Sequence, residues 1–265
     1  MTPLLGIIKK ELKVAFTTPI AYVVFFFFTL LTSLLFYNQL LEYEKKLQRA
    51  RHFEDTELLA LLNFNDVILA PVFLSVQVIL AVLVPILTMR MLAEEKRHRT
   101  MELLLTTPIR PIDVVLGKYL AYLLIVVCLC ALVLIYPAIL TVFGSNSLVE
   151  ASVVDWPTTL LGTLGIFLTG IMFGAVGFCF SSLTESQVLA AVLGIMVLLL
   201  MWLLARFGQE TAGWVGETMA YISPVSHMGN FVSGVLHLGD VFYYLSVAGF
   251  FLFFTHRMVE GQRWR

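Results

Sequence analysis

Charged residues are scarce in this chain. Aspartate, glutamate, lysine and arginine make up 13% of its 265 residues, whereas an average soluble domain carries roughly 25%. Apolar residues reach 59%, and the mean hydropathy is +0.91. A soluble fold of this length has too little interior to bury so many apolar side chains, and disorder requires low hydrophobicity and high net charge. The composition therefore predicts a chain whose main solvent is lipid.

Motifs of several functional classes are also missing. The sequence holds no H-E-x-x-H and no G-x-S-x-G, and its one Gly-Lys pair, Gly117-Lys118, lacks the first glycine and the Ser or Thr of a P-loop. We therefore expect no catalytic residues and no ATP site in this chain. The five histidines are scattered and the three cysteines form no C-x-x-C pair, which disfavours a metal site. No segment has the basic, aromatic-interleaved composition of a nucleic-acid surface.

Six apolar segments are long enough to cross a membrane as helices, because about 20 apolar residues span roughly 30 Å of hydrocarbon. The predicted spans are 20–41, 68–89, 119–143, 160–180, 188–205 and 241–255. They predict an all-α polytopic membrane protein that forms one transmembrane domain over residues 1–265.

Lysine and arginine are distributed unevenly between the two sides that six spans define. Five lie in the loops of one side, and twelve of the seventeen lie on the side that carries both termini. The twelve are Lys9, Lys10, Lys13, Arg90, Lys96, Arg97, Arg99, Arg110, Lys118, Arg257, Arg263 and Arg265. Because an excess of lysine and arginine marks the cytoplasmic side, both termini are predicted to be cytoplasmic.

The segment before the first span has the pattern of an amphipathic helix over residues 3–17. Its leucine and isoleucine residues share one helical face, while Lys9 and Lys13 lie on another. Such a helix lies in the membrane interface, with Lys9, Lys10 and Lys13 as candidate anchors to anionic headgroups. Pro19 is expected to end it. A plain juxtamembrane anchor is the alternative.

The loop between the second and third spans combines charges of both signs with a leucine-bearing segment. In its first half, Glu94 can pair with Arg97, and Glu95 with Arg99, at helical spacing. Its second half is predicted to be a short helix that ends at Pro108. Exposed leucines on such a helix need a partner surface. The alternative is a solvated charge run followed by a helix that packs on its own bundle.

The outer loop at 206–240 carries six glycines among apolar residues. It is too interrupted to span the membrane and too apolar to be freely solvated. Short re-entrant or interfacial helices are therefore predicted, with a turn between two of them over residues 223–227.

Ion-coupled transport lacks its usual signals. The predicted span interiors hold no ionisable residue, and the first three spans show no repeat in the last three. Gln77 is the most polar side chain inside a span, and a single buried glutamine is more often an interhelical contact than a substrate ligand.

Five segments carry a resemblance to a known family. They read LVPILTMRMLAEEKR at 83–97, TMELLLT at 100–106, KKEL at 9–12, TPIAYVV at 18–24 and ISPVSH at 222–227. Together they resemble the permease subunits of type-2 ATP-binding cassette (ABC) transporters, in the subgroup described as gliding-motility or multicopper-enzyme-maturation permeases. This resemblance covers nearly the whole chain.

The resemblance implies a permease that forms a homo- or heterodimer in the bacterial cytoplasmic membrane. Two separate ATPase subunits, which bind ATP and Mg²⁺, would dock below it and drive export. A periplasmic accessory protein would fit the same family. The N-terminal helix would be the connecting helix, and Ser223, Pro224 and His227 would belong to an outer gate.

Residues 94–107 would form the coupling helix that docks on the ATPase. The residues that the resemblance assigns to this contact are Glu94, Glu95, Lys96, Arg97, Arg99, Thr100, Glu102, Leu104, Leu105 and Thr106. Relatives often carry glycine where this chain has Arg99, and this difference bears on the start of that helix. Substrate-binding residues are not identified.

Other functions stay open at this point. A type-2 permease can act as a mechanical transducer on envelope partners without moving a substrate through a channel. An ion-coupled carrier or a membrane scaffold is disfavoured by the match over the coupling segment.

Overall fold

The computed structural model describes residues 3–53, 62–98, 110–143, 154–211 and 213–262, and within these ranges all regular secondary structure is helical. The helices are α1 (Pro3–Thr17), α2 (Pro19–His52), α3 (Ala70–Thr88), α4 (Arg90–Arg97), α5 (Pro111–Val133), α6 (Ile135–Phe143), α7 (Trp156–Leu183), α8 (Gln187–Glu210), α9 (Trp214–Ile222), α10 (Pro224–Val232) and α11 (Leu238–Gln262). A π-helical turn at Asn65–Leu69 leads into α3.

Six helical segments in the described ranges are long and apolar enough to cross a membrane. They are Pro19–His52, Asn65–Arg97, Pro111–Phe143, Trp156–Leu183, Gln187–Glu210 and Leu238–Gly261. One matches each predicted span, so the predicted all-α polytopic fold is confirmed.

Several helices run past the predicted spans. Instead of ending at 41, the first continues to His52, and the sixth runs from Leu238 to Gln262 instead of 241–255. The third begins at Pro111, not at 119, and breaks at Leu134, since Pro137 has no amide proton to donate to Val133. Hydropathy marks the lipid-exposed length of a helix, and polar turns extend these helices beyond it.

The second span continues directly into the predicted coupling segment. After Pro85, the Met89 amide still donates to the Pro85 carbonyl at 2.8 Å, and α4 follows at Arg90. The coupling helix predicted over 94–107 thus has its first residues within α4, and its docking role stays a prediction. Residues 94–97 are the last turn of α4, and the chain turns at His98. The continuation at 99–109 lies outside the described residues.

Both ends of the described chain lie at one end of the bundle. Leu92 of α4, Val115 of α5, Phe178 of α7 and Val259 of α11 form a small apolar cluster there, and α1 packs along α5. We call this end the termini end.

Helix α7 is the centre of the bundle. Its most apolar stretch is 78% buried, against 28% for α2 and α8. Its glycines allow neighbouring helices to approach closely: an added Cβ at Gly170 would lie 2.5 Å from Val126 of α5, and one at Gly165 would lie 2.7 Å from Met228 of α10. Small residues provide such interfaces where no hydrophobic effect drives helices together.

Gly174 offers a test of this packing. A Cβ there would overlap the ring of Tyr122, which is fully buried and donates a hydrogen bond of 2.8 Å to the Gly170 carbonyl. Because that ring cannot swing away, Gly174→Leu is expected to destabilise the protein by about 1–3 kcal/mol. Gly249→Leu, at a position with open space in α11, is the matched control. Thermal unfolding in detergent measures both, and equal melting temperatures would contradict the packing argument.

Candidate functional site

A lysine lies buried between two carboxylates at the termini end. The Lys118 side chain is 3% exposed, and its Nζ lies 2.8 Å from Glu11 Oε1 and 2.9 Å from Glu95 Oε1. Lys10 completes the group, with its Nζ 3.7 Å from the same Glu11 oxygen and 3.6 Å from the same Glu95 oxygen. We call these four residues the ion cluster.

The ion cluster joins three helices: Lys10 and Glu11 belong to α1, Glu95 to α4 and Lys118 to α5. A buried charge is costly unless it is paired, and here two cations meet two carboxylates. Next to Lys118, Gly117 lets α1 approach, since an added Cβ would lie 2.9 Å from Ile7 Cγ2. The helices are therefore held together by both charge and close packing.

Sequence reasoning missed this cluster, because it counted Lys118 only toward the orientation of the chain and did not single out Glu11. A signal was nonetheless present. Lys118 lies among Val115, Tyr119 and Ala121 on an otherwise apolar helix, and an ionisable residue in such a setting calls for a named partner.

Ser181 of α7 holds the junction between α3 and α4. Its Oγ accepts the amide protons of Leu92 and Ala93, both at 3.1 Å, and donates to the Met89 carbonyl at 2.8 Å. One turn later, Lys96 Nζ donates to the Ser182 carbonyl. The start of the coupling segment is thus fastened to the central helix as well as to the ion cluster.

Some of the predicted docking residues make contacts within the helix bundle, and others are exposed. Glu95 belongs to the ion cluster and Lys96 contacts α7, whereas Arg97 is exposed. The predicted pairing of Glu94 with Arg97 is replaced by one with Arg90, whose Nε lies 3.4 Å from Glu94 Oε2. Arg99, Thr100, Glu102, Leu104, Leu105 and Thr106 lie outside the described residues, so their contact with an ATPase stays a prediction.

The three lysines predicted to anchor α1 to headgroups also differ in their surroundings. Lys9 and Lys13 are exposed on α1, in keeping with contact with headgroups, while Lys10 turns to the ion cluster. Helix α1 ends at Thr17 and α2 begins at Pro19, as the sequence predicted.

At the opposite end, α9 and α10 form a hairpin whose turn is buried. Ser223 is fully buried, and its Oγ accepts the Val225 amide at 3.4 Å. The Pro224 carbonyl accepts two hydrogen bonds, from Tyr244 Oη at 2.7 Å and from Gln77 Nε2 at 3.1 Å. Gln77 thus connects two helices, as the sequence predicted for it.

His227 fastens the same hairpin to α11. Its Nε2 donates to the Tyr221 carbonyl at 2.9 Å, and its Nδ1 lies 2.6 Å from Asp240 Oδ1. Asn230 donates to the other Asp240 oxygen at 2.8 Å, and the imidazole stacks on Tyr243 with ring centroids 4.0 Å apart. His227 therefore joins Tyr221 of α9 to Asp240 of α11 through its two ring nitrogens. Ser223, Pro224 and His227 are therefore brought together, in a buried contact between helices.

Removing the central cation tests the ion cluster. Lys118→Met leaves two carboxylates with only the exposed Lys10 beside them, so stability is expected to fall by about 3–5 kcal/mol. The variant that also carries Glu11→Gln and Glu95→Gln removes the uncompensated charge and should recover most of the loss. Lys13→Met is the exposed control. Chemical unfolding in detergent measures all three, and a Lys118→Met protein as stable as the control would disprove the role of the pairing.

A double-mutant cycle tests the Pro224 carbonyl. Gln77→Leu and Tyr244→Phe each leave it one donor, so each is expected to cost about 0.6 kcal/mol, as is usual for such bonds in membranes. Gln77 Nε2 also lies 3.4 Å from Tyr244 Oη, so the two side chains contact each other as well as the same carbonyl. The double variant should therefore lose less stability than the sum of the singles, because their mutual contact is lost only once. Additive losses in the same unfolding assay would argue against these shared contacts.

Comparison with protein families gives a match that covers this arrangement. A family model described as ABC-2 family transporter protein matches residues 5–256, a range that includes the ion cluster, the Ser181 contacts and the α9–α10 hairpin. Comparison with curated proteins gives no match. Members of this family are membrane components that work with an ATPase subunit. The chain belongs to the ABC-2 family of transporter proteins, as a multi-pass permease subunit of an ABC transporter.

Proposed function

We propose that the chain is the permease of a bacterial ABC exporter and that the segment 94–107 is its docking site for the ATPase. The observation that carries the proposal is the attachment of residues 92–96 to three other helices, through the ion cluster and Ser181. A segment so fastened can transmit a displacement at its exposed side into the bundle. ATP and Mg²⁺ would be bound by the partner ATPase.

The proposed sidedness follows from the charges. The termini end carries the ion cluster and Arg90, Lys96 and Arg97, and an excess of such residues marks the cytoplasmic side. The membrane would be the bacterial cytoplasmic membrane. The hairpin of α9 and α10, with Ser223, Pro224 and His227, would then close the outer side of the bundle.

A second permease subunit is part of the proposal. Helix α2 exposes large apolar side chains along its length, among them Tyr22, Phe26, Leu34 and Tyr37, and α8 exposes Met196 and Leu200. Lipid alone can cover such faces, but a path through a type-2 permease lies between two subunits. We assign the chain to the gliding-motility or multicopper-enzyme-maturation subgroup on the motifs named above. The alternative function is a mechanical, non-exporting role on envelope partners, and an assay of transport by the reconstituted protein would distinguish it from export. A periplasmic accessory protein is a further proposed partner.

The docking proposal predicts loss of the partner when the exposed part of the segment changes. Arg97→Glu combined with Leu104→Asp should weaken ATPase co-purification and stimulation by about tenfold or more, since central interface residues are each worth over 1 kcal/mol. Glu95 is left intact because it belongs to the ion cluster. Arg257→Glu, an exposed change at the same end of the bundle, is the control.

The measurement uses the permease co-expressed with its partner ATPase and purified through a tag on the permease. Unchanged co-purification and ATPase stimulation in the double variant would disprove docking at this segment. Robust transport by the permease without any ATPase would overturn the wider proposal.

A further inference from the structure

A cavity of about 350 Å³ lies at the termini end beside the ion cluster, a size within the usual range for small-molecule sites. Its walls come from α1, the start of α2, the junction of α3 and α4, and α5. One half of the lining is polar and contains the ion cluster, Arg90, Glu94 and His98. The other half is apolar and contains Ile20, Ala21, Leu87, Ala121, Tyr122 and Ile125.

Arg90 is the group in the polar half with unused hydrogen-bonding capacity. Its side chain is 14% exposed, and its Nε lies 3.4 Å from Glu94 Oε2. Within the described residues, no hydrogen bond is made by its two terminal nitrogens. A guanidinium with both terminal nitrogens available binds a phosphate in bidentate fashion. Its partner Glu94 is 40% exposed and can accept a further donor.

The charges of the polar half are balanced. Lys10 and Lys118 match Glu11 and Glu95, and Arg90 matches Glu94. A ligand with a net charge would leave one of these groups uncompensated in a half-buried site. A headgroup that carries one phosphate and one ammonium adds no net charge and offers each member of the Arg90–Glu94 pair an opposite charge.

The apolar half suits a hydrocarbon chain attached to such a headgroup. Ile20 and Ala21 lie in the first turn of α2, directly after the break between α1 and α2. Helix α1 carries exposed lysines on its other side, the pattern of a helix at the headgroup level of a bilayer. The cavity therefore lies where a bilayer changes from headgroup to hydrocarbon, with polar and apolar walls side by side.

We propose that this cavity binds an amphiphile with a zwitterionic phosphate–ammonium headgroup. The phosphate contacts Arg90, the ammonium contacts Glu94, and the first carbons of the chain lie against Ala21, Leu87 and Ala121. A membrane lipid and a transported amphiphile share this chemistry. The site does not depend on docking of the ATPase, so the two proposals fail separately.

Binding is tested on the purified full chain by native mass spectrometry, with three short-chain lipids of identical acyl groups. The phosphoethanolamine lipid is expected to bind about tenfold or more tightly than the phosphocholine and phosphoglycerol lipids. A quaternary ammonium has no proton to donate to Glu94, and phosphoglycerol has no cation. Glu94→Gln should abolish this preference, whereas Arg90→Gln should weaken binding of all three lipids, since all three carry the phosphate that Arg90 contacts. Arg257→Gln is the matched control, because Arg257 also pairs with a glutamate on its own helix.

Two further variants keep the test decisive if Arg90→Gln does not fold. Arg90→Lys retains the charge but loses the bidentate contact and should weaken binding of all three lipids to a smaller extent. Ala121→Met places a longer side chain against the apolar half and should also weaken binding of all three lipids. Equal binding of the three lipids, an unchanged preference in Glu94→Gln, or unchanged affinity in the Arg90 variant that folds would overturn the proposal.

The source of the ligand is decided in vesicles that contain the permease with its ATPase. Movement of a labelled phosphoethanolamine lipid between leaflets on ATP addition would identify a transported amphiphile. Binding without such movement would identify a lipid ligand. Either result requires an occupied cavity, and absence of binding in the first experiment excludes both.

Discussion

Lys118 sets the constraint on which the rest of this end of the protein depends. Its ammonium is 3% exposed, and a charge in such a place persists only with paired carboxylates beside it. Glu11 and Glu95 reach the Lys118 ammonium only if α1 lies along α5 and the last turn of α4 faces these two helices. The position of the N-terminal helix and the path of the chain into the coupling segment therefore follow from one buried cation.

Two groups of buried polar contacts hold the two ends of the bundle together. At the termini end, the ion cluster and Ser181 join α1, α4, α5 and α7. At the opposite end, Gln77, His227 and Asp240 fasten the α9–α10 hairpin to α3 and α11. Between them, glycines of α7 provide close van der Waals packing. Polar contacts thus specify which helices meet at each end of the bundle, whereas close packing against the glycines of α7 predominates in the middle.

The sequence predicted the elements better than their partners. Apolar length identified six helices, Pro19 marked the break after α1, and Ser223-Pro224 marked the buried turn, because each depends on local chemistry. Glu11 and Lys118 lie 107 residues apart, and no local rule links them. Helical spacing places Glu94 within pairing distance of both Arg90 and Arg97. The orientation of α4 against the bundle decides which of the two arginines it contacts. Polar extensions of helices, such as that of α2 to His52, are not detected by a criterion based on the length of apolar segments.

One helical rod connects the two polar groups. Gln77 on α3 contacts the α9–α10 hairpin, and Glu95 on α4 belongs to the ion cluster. They lie 18 residues apart in sequence, or about 27 Å along a helix. Between them, Pro85 donates no amide hydrogen bond, and Gly177 and Gly194 leave room against it. Helices bend most readily at such a residue. A bend at Pro85 would change the position of Glu95 relative to the α9–α10 hairpin, so this rod has a defined point of bending between the two polar groups of the bundle.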